Sequence, residues 1–549
     1  MTDAVLNVPI ALSEELESPT RRALRRLFQR KGAVVGLIVI ATFILLALFA
    51  PLIVPYDPIA TSWSLVRKPP SALHWFGTDD LGRDILGRVI YGARASLVAG
   101  ANVDASNECG PQSETYVTLN PKRPGQLTGG SNEIFRLPMR AYFSSDGGSS
   151  WGGVDVPLPP PLSGTNDTRF GSDPTLAFDT QGNVFYGFIV VFFSASFNTP
   201  SNGVGINGTE LAVARSPDGG RTWPLLTEFS FEPGENHFND KPMITVDGSD
   251  ASRFRDNVYI AWDAAFGGST GGGIRVARST DHGASFAVNR ADNPSGPGNS
   301  IGAVPFVGPE GTLYVAWNDF FANVIAFNRS FDGGVTWSAQ RTIAPKVIPF
   351  DIGIPAEAVR RALVYPACDT DRSRGPHSGR LYCSWMDLNA AGNTSIVLSS
   401  SDDAGSSWSA PASVGHQVPG TDRFNQWLSV DPVSGDVTAS YYDTQNDVTG
   451  QRFMTDVYLS RSTDGSATWL SDVRVTTQSS NEHDCNGLFP CPSINYGNQQ
   501  GDYEGLVSFR GVSHPIWTDS RRNTERAGDP TCGRGRGVME EVFSASVRN

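Results

Sequence analysis

Apolar and polar positions between residues 115 and 510 fall into a short run that comes round seven times: TYVTLN (115 to 120), PTLAFD (174 to 179), PMITVD (242 to 247), AVPFVG (303 to 308), PACDTD (366 to 371), QWLSVD (426 to 431) and GLVSFR (505 to 510). Each run ends on a turn residue and leads into a second, as in NVFYGF, NVYIAW, TLYVAW, RLYCSW, DVTASYY and SHPIWTD. Short apolar stretches separated by turn residues predict strands joined by hairpins. Later in each of six units stands Ser-x-Asp-x-Gly-x-x-Trp/Phe, starting at Ser144, Ser216, Ser279, Ser330, Ser401 and Ser462, the last with Ser466 in the Gly place. The pattern reads as a hairpin turn in which Asp accepts backbone N–H groups, Gly supplies a positive φ and the aromatic tucks beneath. Successive box serines stand 72, 63, 51, 71 and 61 residues apart, a period that fits one four-stranded blade with long loops. The prediction is an all-β propeller of seven blades, with six as the alternative. The last unit stops before a box forms, so the segment before Glu114 is expected to supply its outer strand and close the ring.

The six-fold motif resembles the Asp box of the sialidase superfamily, and the resemblance covers residues 101 to 549. It implies that the boxes lie on the outer rim and that ligands meet the central channel, and it leaves the chemistry open. Residues just before the seven runs form the predicted ring at one end of that channel: Glu114, Asp173, Lys241, Gly302, Tyr365, Asn425 and Glu504. One position earlier stand Ser113, Ser172, Asp240, Ile301, Val364, Phe424 and Tyr503.

Glycosidic cleavage uses paired carboxyl groups, or a tyrosine partnered by a glutamate. Tyr503 beside Glu504, with Asp173 or Asp240 as acid/base, is therefore the candidate catalytic set. Lys241, Tyr365, Asn425 and Trp427 are candidate ligand contacts, joined by Arg169 and Arg423, which stand in matching loops ahead of their strands. Sialidases clamp the sialic-acid carboxylate with three arginines, whereas the ring positions here hold none. Phe135-Arg136-Leu137-Pro138 is similar to the FRIP motif of that superfamily but ends six residues before the first box, too late for its usual place. A non-catalytic module stacking Trp427, Tyr365 and Tyr503 on a sugar or peptide is the second reading, and a scaffold the third. The number of guanidinium groups converging on the mouth separates the first two.

Residues 33 to 54 carry no charge and are long enough to span a bilayer as one helix. Arg21, Arg22, Arg25, Arg26, Arg30 and Lys31 precede them and predict a cytoplasmic N-terminus (1 to 32), so the chain after residue 54 is expected outside. A cleaved signal peptide is the alternative. From Arg21 to Gly100 the chain resembles the N-terminal module of the second permease subunit of peptide ABC importers, through the basic run, the apolar run, PYDP (55 to 58) and HWFGTDDLGRDILGRVIYGARASLVAG (74 to 100). The resemblance implies an inner-membrane anchor. The further membrane helices and the ATPase-docking loop of that family are absent after residue 100, so transport by this chain alone is not expected. No Pro/Gly/Ser linker marks the join near residues 100 to 102, which fits either a gene fusion or a misassembled gene.

Composition agrees with a turn-rich β protein: 58 Gly, 37 Pro, 10% aromatic and 18% charged residues. A net charge of −13 argues against nucleic acid and anionic membrane surfaces as partners. All six cysteines follow residue 100. Cys368 with Cys383, Cys485 with Cys491 and Cys109 with Cys532 are the expected disulfides, free thiols the alternative. Zinc is disfavoured because no CxxC spacing occurs, and no cofactor is expected. His237 reads as a turn residue, Asp247 to Asp250 as too short a calcium loop, and the Asn-x-Ser/Thr sites at Asn166, Asn207, Asn328 and Asn393 as unused in a bacterial host.

Overall fold

The computed structural model describes residues 30–32, 34–35, 42, 45, 49, 53–54, 63–79, 82–90, 101–106, 111–133, 136–194, 205–234, 238–264, 272–292, 300–483, 500–521 and 540–548. Most of the apolar run 33 to 54, and Phe135, His237, Cys109, Cys485, Cys491 and Cys532, lie outside them. The chain divides into two compact units, Met1–Val98 and Ala99–Asn549. In the first, a 3₁₀ turn at Trp63–Leu65 and a helix at 85–90 carry a small cluster of Val54, Leu86 and Ile90. His74 Nδ1 lies 3.0 Å from Asp84 Oδ1 there. Among the described residues no helix is long and apolar enough to cross a membrane.

The second unit is a β-propeller, and its described strands form seven antiparallel sheets of four or five strands ordered around a ring, each a blade, with one further two-stranded hairpin. The innermost strands are Gln112–Leu119, Thr168–Phe178, Asn239–Val246, Ser300–Val307, Ala367–Thr370, Arg423–Val430 and Gly505–Phe509. These are the seven recurring apolar runs. Inner strands such as Ser300–Val307 and Arg423–Val430 and second strands such as Val437–Asp443 are buried at every position, because neighbouring blades cover both faces. Trp262, Trp317, Trp385 and Trp517, one on each of four second strands, are fully buried between blades. The ring closes as the chain ends predict. Val103–Asp104 forms the outer strand of the last blade, Val103 opposite Ser544 and Asp104 opposite Phe543. Pairing both ends into one sheet removes the open edge a solitary last blade would expose. Cys368 and Cys383 stand directly opposite one another in the fifth blade and are disulfide-bonded.

Every box begins on the last residue of a third strand, as at Ser144 and Ser462. In the third blade the Gly283 amide donates to Ser279 Oγ at 2.8 Å, and Asp281 Oδ1 accepts the Ser285 amide at 2.9 Å. The Ser285 hydroxyl donates to Asp281 Oδ2 at 2.6 Å, so a hydroxyl at the seventh position belongs to the motif. The same bonds recur at Asp403, where the Ser407 hydroxyl and then its amide hold the carboxyl down to about 2. These bonds lie within the turn and touch no other blade, so the boxes stabilise turns. Asp281→Ala should lower stability by about 1–2 kcal/mol, read as a modest Tm shift with ligand binding unchanged. A variant melting like the parent would show that the box bonds contribute nothing.

Candidate functional site

Five inner strands break register at the same place, and at the break one residue takes a left-handed backbone: Glu114 (φ 54°), Asp173 (φ 58°), Lys241 (φ 48°), Gly302 (φ 71°) and Asn425 (φ 47°). A bulge of this kind re-aims a side chain, at about 1 kcal/mol or more for each non-glycine residue. The result is convergence. Glu114, Asp173 and Lys241 from three consecutive blades meet in a cavity of about 450 Å³, lined also by Asn132, Ser172, Asp240, Phe350, Asp351, Arg360, Tyr365 and Asp502. Gly302 is glycine for space as well as for φ, since a Cβ there would run into the Tyr365 ring.

The Lys241 ammonium is the centre of the cluster. It lies 2.9 Å from Glu114 Oε1, 2.7 Å from Asp502 Oδ2 and 3.5 Å from Asp173 Oδ2. Arg360 comes from a hairpin, Asp351–Ile354 with Glu357–Leu363, inserted between the fourth and fifth blades. Its Nε donates to Asp502 Oδ1 at 2.7 Å, its Nη2 also bonds Asp502 Oδ2, and the same Nη2 is 3.3 Å from Glu114 Oε1. Asn132 ties two blades together, donating from Nδ2 to Glu114 Oε2 at 2.8 Å and accepting the Asp173 amide at 2.6 Å. The Tyr365 hydroxyl lines the cavity, buried and without a hydrogen-bond partner among the described residues.

The four carboxyl groups differ in charge state because their surroundings differ. Burial opposes ionisation of Asp502, but Lys241 and Arg360 outweigh it and hold the group far below the usual carboxylate range. Asp173 is also buried, yet Lys241, with hydrogen bonds from Glu114, Ser172 and Asp240, keeps it low. Burial pushes Glu114 up, and Asp173 and Asp502 add to the effect against the pull of Lys241. Asp240 is pushed up to about 7 by burial and then by Asp173, to which it is hydrogen-bonded. Protonated and ionised carboxyls therefore stand side by side near neutral pH.

Of the ring residues read from the sequence, Glu114, Ser172, Asp173, Asp240, Lys241, Ile301 and Tyr365 line this cavity, whereas the candidates Tyr503, Glu504, Asn425, Trp427, Arg169 and Arg423 do not. The Tyr503 ring lies beneath the Lys241 ammonium, 5.5 Å away, and its hydroxyl donates to the Pro174 carbonyl at 3.3 Å. Glu504 is 1% exposed and faces away, toward Ser440 and Tyr442. Asn425 donates to the Gly501 carbonyl at 2.8 Å and so steadies the turn that carries Asp502. Trp427 packs edge-on against Tyr116, with ring centres 5.3 Å apart. Arg169 donates to the Pro159 carbonyl, and Arg423 is buried between Asp443 at 2.6 Å and Asp472 at 2.8 Å over the Tyr441 ring. The Asp247 carboxylate is held by the Ser249 amide and the Ser252 hydroxyl. Among the described residues no group of His, Cys, Asp or Glu is arranged to hold a metal ion.

The sequence does not single out Asp502 or Arg360. Asp502 adjoins Tyr503, but the last inner strand begins at Gly505 without the bulge that sets five of the others, so its alignment slips. The one signal for Arg360 is the long 71-residue interval between the fourth and fifth boxes, where the hairpin is inserted. Among the described lining residues, Arg360 is the one guanidinium.

Residues 18–70 match the family model of the N-terminal TM domain of oligopeptide transport permease C. Over 83 residues the chain is 53% identical to the dipeptide transport system permease protein DppC of Alkalihalophilus pseudofirmus, covering 15% of this chain and 27% of that protein. It is 47% identical over 89 residues to the oligopeptide transport system permease protein OppC of Bacillus subtilis, 16% and 29% of the two. The chain thus spans less than a third of the length of these relatives. Among solved structures, a leech intramolecular trans-sialidase aligns with TM-score 0.42 at 13% identity, over 64% of this chain and 68% of that one. The intramolecular trans-sialidase of Ruminococcus gnavus aligns with TM-score 0.41 at 14% identity, over 62% and 91%.

Proposed function

We propose that this chain is a membrane-anchored propeller that acts on glycans outside the cell membrane, at the channel mouth, with Asp240 as the proton-donating acid of a glycoside hydrolase. The arrangement that supports this most is Asp240, raised to about 7 by burial and Asp173, hydrogen-bonded to an Asp173 held low, in a polar cavity that also presents the Tyr365 hydroxyl, which has no hydrogen-bond partner among the described residues. An acid kept protonated to about pH 7 suits departure of an alkoxide leaving group. The anchor rests on the uncharged run 33 to 54, the arginines before it and the permease likeness of residues 18–70. That likeness equally describes a permease fragment, but with less than a third of a permease matched, transport is the weaker reading.

Among the described lining residues the arginine clamp of a sialidase has one counterpart, Arg360, so a sialoside is not the favoured substrate. Non-catalytic binding is the second reading, and a specific contact favours it. Asp173 and Asp240 are hydrogen-bonded to each other, closer than the ~5 Å that separates the carboxyl pair of a retaining glycosidase. The full chain in detergent micelles, screened against aryl glycosides including a sialoside, separates the two. Hydrolysis supports the enzyme, sugar binding without turnover the binding module, and neither result leaves a scaffold. Protease added to intact cells should remove the propeller; a fully protected propeller would reverse the proposed orientation.

A further inference from the structure

The cavity is rich in acceptors and poor in available cations. Four lining carboxyls, Glu114, Asp173, Asp240 and Asp502, surround Lys241 and Arg360, and Asp351 adds a fifth at the hairpin. Lys241 has three N–H donors, and three carboxylate oxygens stand within 3.5 Å of it. Arg360 is engaged through Nε and Nη2 by Asp502 and Glu114. An incoming carboxylate finds both cations occupied and would have to break charge-assisted bonds to reach them.

Asp240 is the opposite case. Among the described residues it has no ion-pair partner; its carboxyl accepts the Lys241 amide at 3.0 Å and shares a hydrogen bond with Asp173. On the neighbouring strand it stands opposite Asp263, a carboxyl pushed well above the usual range by burial and then by Asp240. The groups facing Asp240 are thus Asp173 and Asp502, with Asp263 behind and Lys241 beside it. The one positive charge beside this corner among the described residues, Lys241, is already shared by Glu114, Asp173 and Asp502. The Tyr365 hydroxyl, open to the same cavity, can accept one further N–H.

We infer that the ligand taken at the mouth carries a cationic amino group, as an amino sugar does, and that anionic sugars are turned away. Its ammonium takes the place of the Asp240 proton, which leaves to solvent, and donates to Asp240, Asp173 and Tyr365. This rests on the mouth being the ligand site and names the chemistry that site selects. A neutral sugar can enter but leaves the Asp240 corner unpaired.

Glucosamine, glucose and N-acetylneuraminate, titrated calorimetrically into the full chain in detergent micelles, test it. Glucosamine should bind at least tenfold more tightly than glucose, and N-acetylneuraminate should bind least. Asp240→Asn should reduce glucosamine affinity to that of glucose in the parent, with an unchanged far-UV circular dichroism spectrum as the control for folding. Tyr365→Phe should weaken both sugars. Equal affinities for glucosamine and glucose, or tighter binding of N-acetylneuraminate, overturn the charge preference but leave the mouth as a sugar site. Glucosamine binding unchanged in both variants overturns the location itself. Failure of glucosamine to bind overturns the inference outright.

Discussion

Replacing Lys241 by methionine should destabilise the propeller by about 3–5 kcal/mol, the cost of leaving buried charges without their counter-ion. The ammonium stands between Glu114, Asp173 and Asp502, which are 1%, 4% and 2% exposed. Those three come from the first, second and last blades, so the loss would loosen the channel end on both sides of the closure. The pH dependence comes from the directions of the shifts. Asp173 and Asp502 are held below their ordinary values. Their contribution is therefore present above about pH 4 and is lost as pH falls through their folded values. Without Lys241 that order reverses, because protonation then discharges orphaned carboxylates. Melting curves at pH 5 and pH 8 should show the methionine variant relatively better at pH 5. A variant that melts within about 2 °C of the parent at both would mean that the cluster is solvated and carries no structural charge.

Asp240→Asn should cut turnover of any glycoside the protein hydrolyses by about 10²–10⁴, the range for loss of a general acid. It should also make the protein more stable above neutrality. Burial and Asp173 raise Asp240 to about 7 in the fold, against about 3.9 when unfolded. The folded state prefers the protonated acid, so the parent loses stability as pH rises from about 4 through about 7. Asparagine carries no such charge. The variant should therefore gain on the parent by up to about 4 kcal/mol at pH 8 and match it near pH 4, with the parent's rate falling above about pH 7. Asp281→Ala should do the reverse, losing a little stability and no turnover. An Asp240→Asn protein that keeps full turnover removes this residue from the chemistry.

The bulged ring explains why part of this site was legible in the chain. Glu114, Asp173, Lys241, Gly302 and Asn425 could be aligned because each directly precedes its apolar run, and the structure gives that position a common left-handed bulge. Tyr365 and Glu504 occupy the same aligned place, but no positive φ occurs there. Tyr365 still enters the cavity through the space at Gly302, while Glu504 turns into the blade. The arginines illustrate a different limit. Arg169 and Arg423, expected in matching loops, stand on the inner strands Thr168–Phe178 and Arg423–Val430, where one bonds a local carbonyl and the other is enclosed by Asp443 and Asp472. A guanidinium side chain spans several ångströms, so its backbone position does not say where its charge is delivered.

What the sequence determined by itself is whatever depends on local repetition. Strand period, box chemistry and turn residues act within a few positions, so seven inner strands, the six boxes and the donation of an outer strand by the segment before Glu114 come from pattern alone. The Cys368–Cys383 bond belongs to the same class, because two neighbouring strands of one blade face each other. The tertiary structure alone decided which charges meet. Glu114 and Lys241 are 127 positions apart and Arg360 and Asp502 are 142, brought together by closure of the ring and by one inserted hairpin. Coulomb interaction and desolvation depend on distance in space, and over such separations no periodicity along the chain encodes that distance.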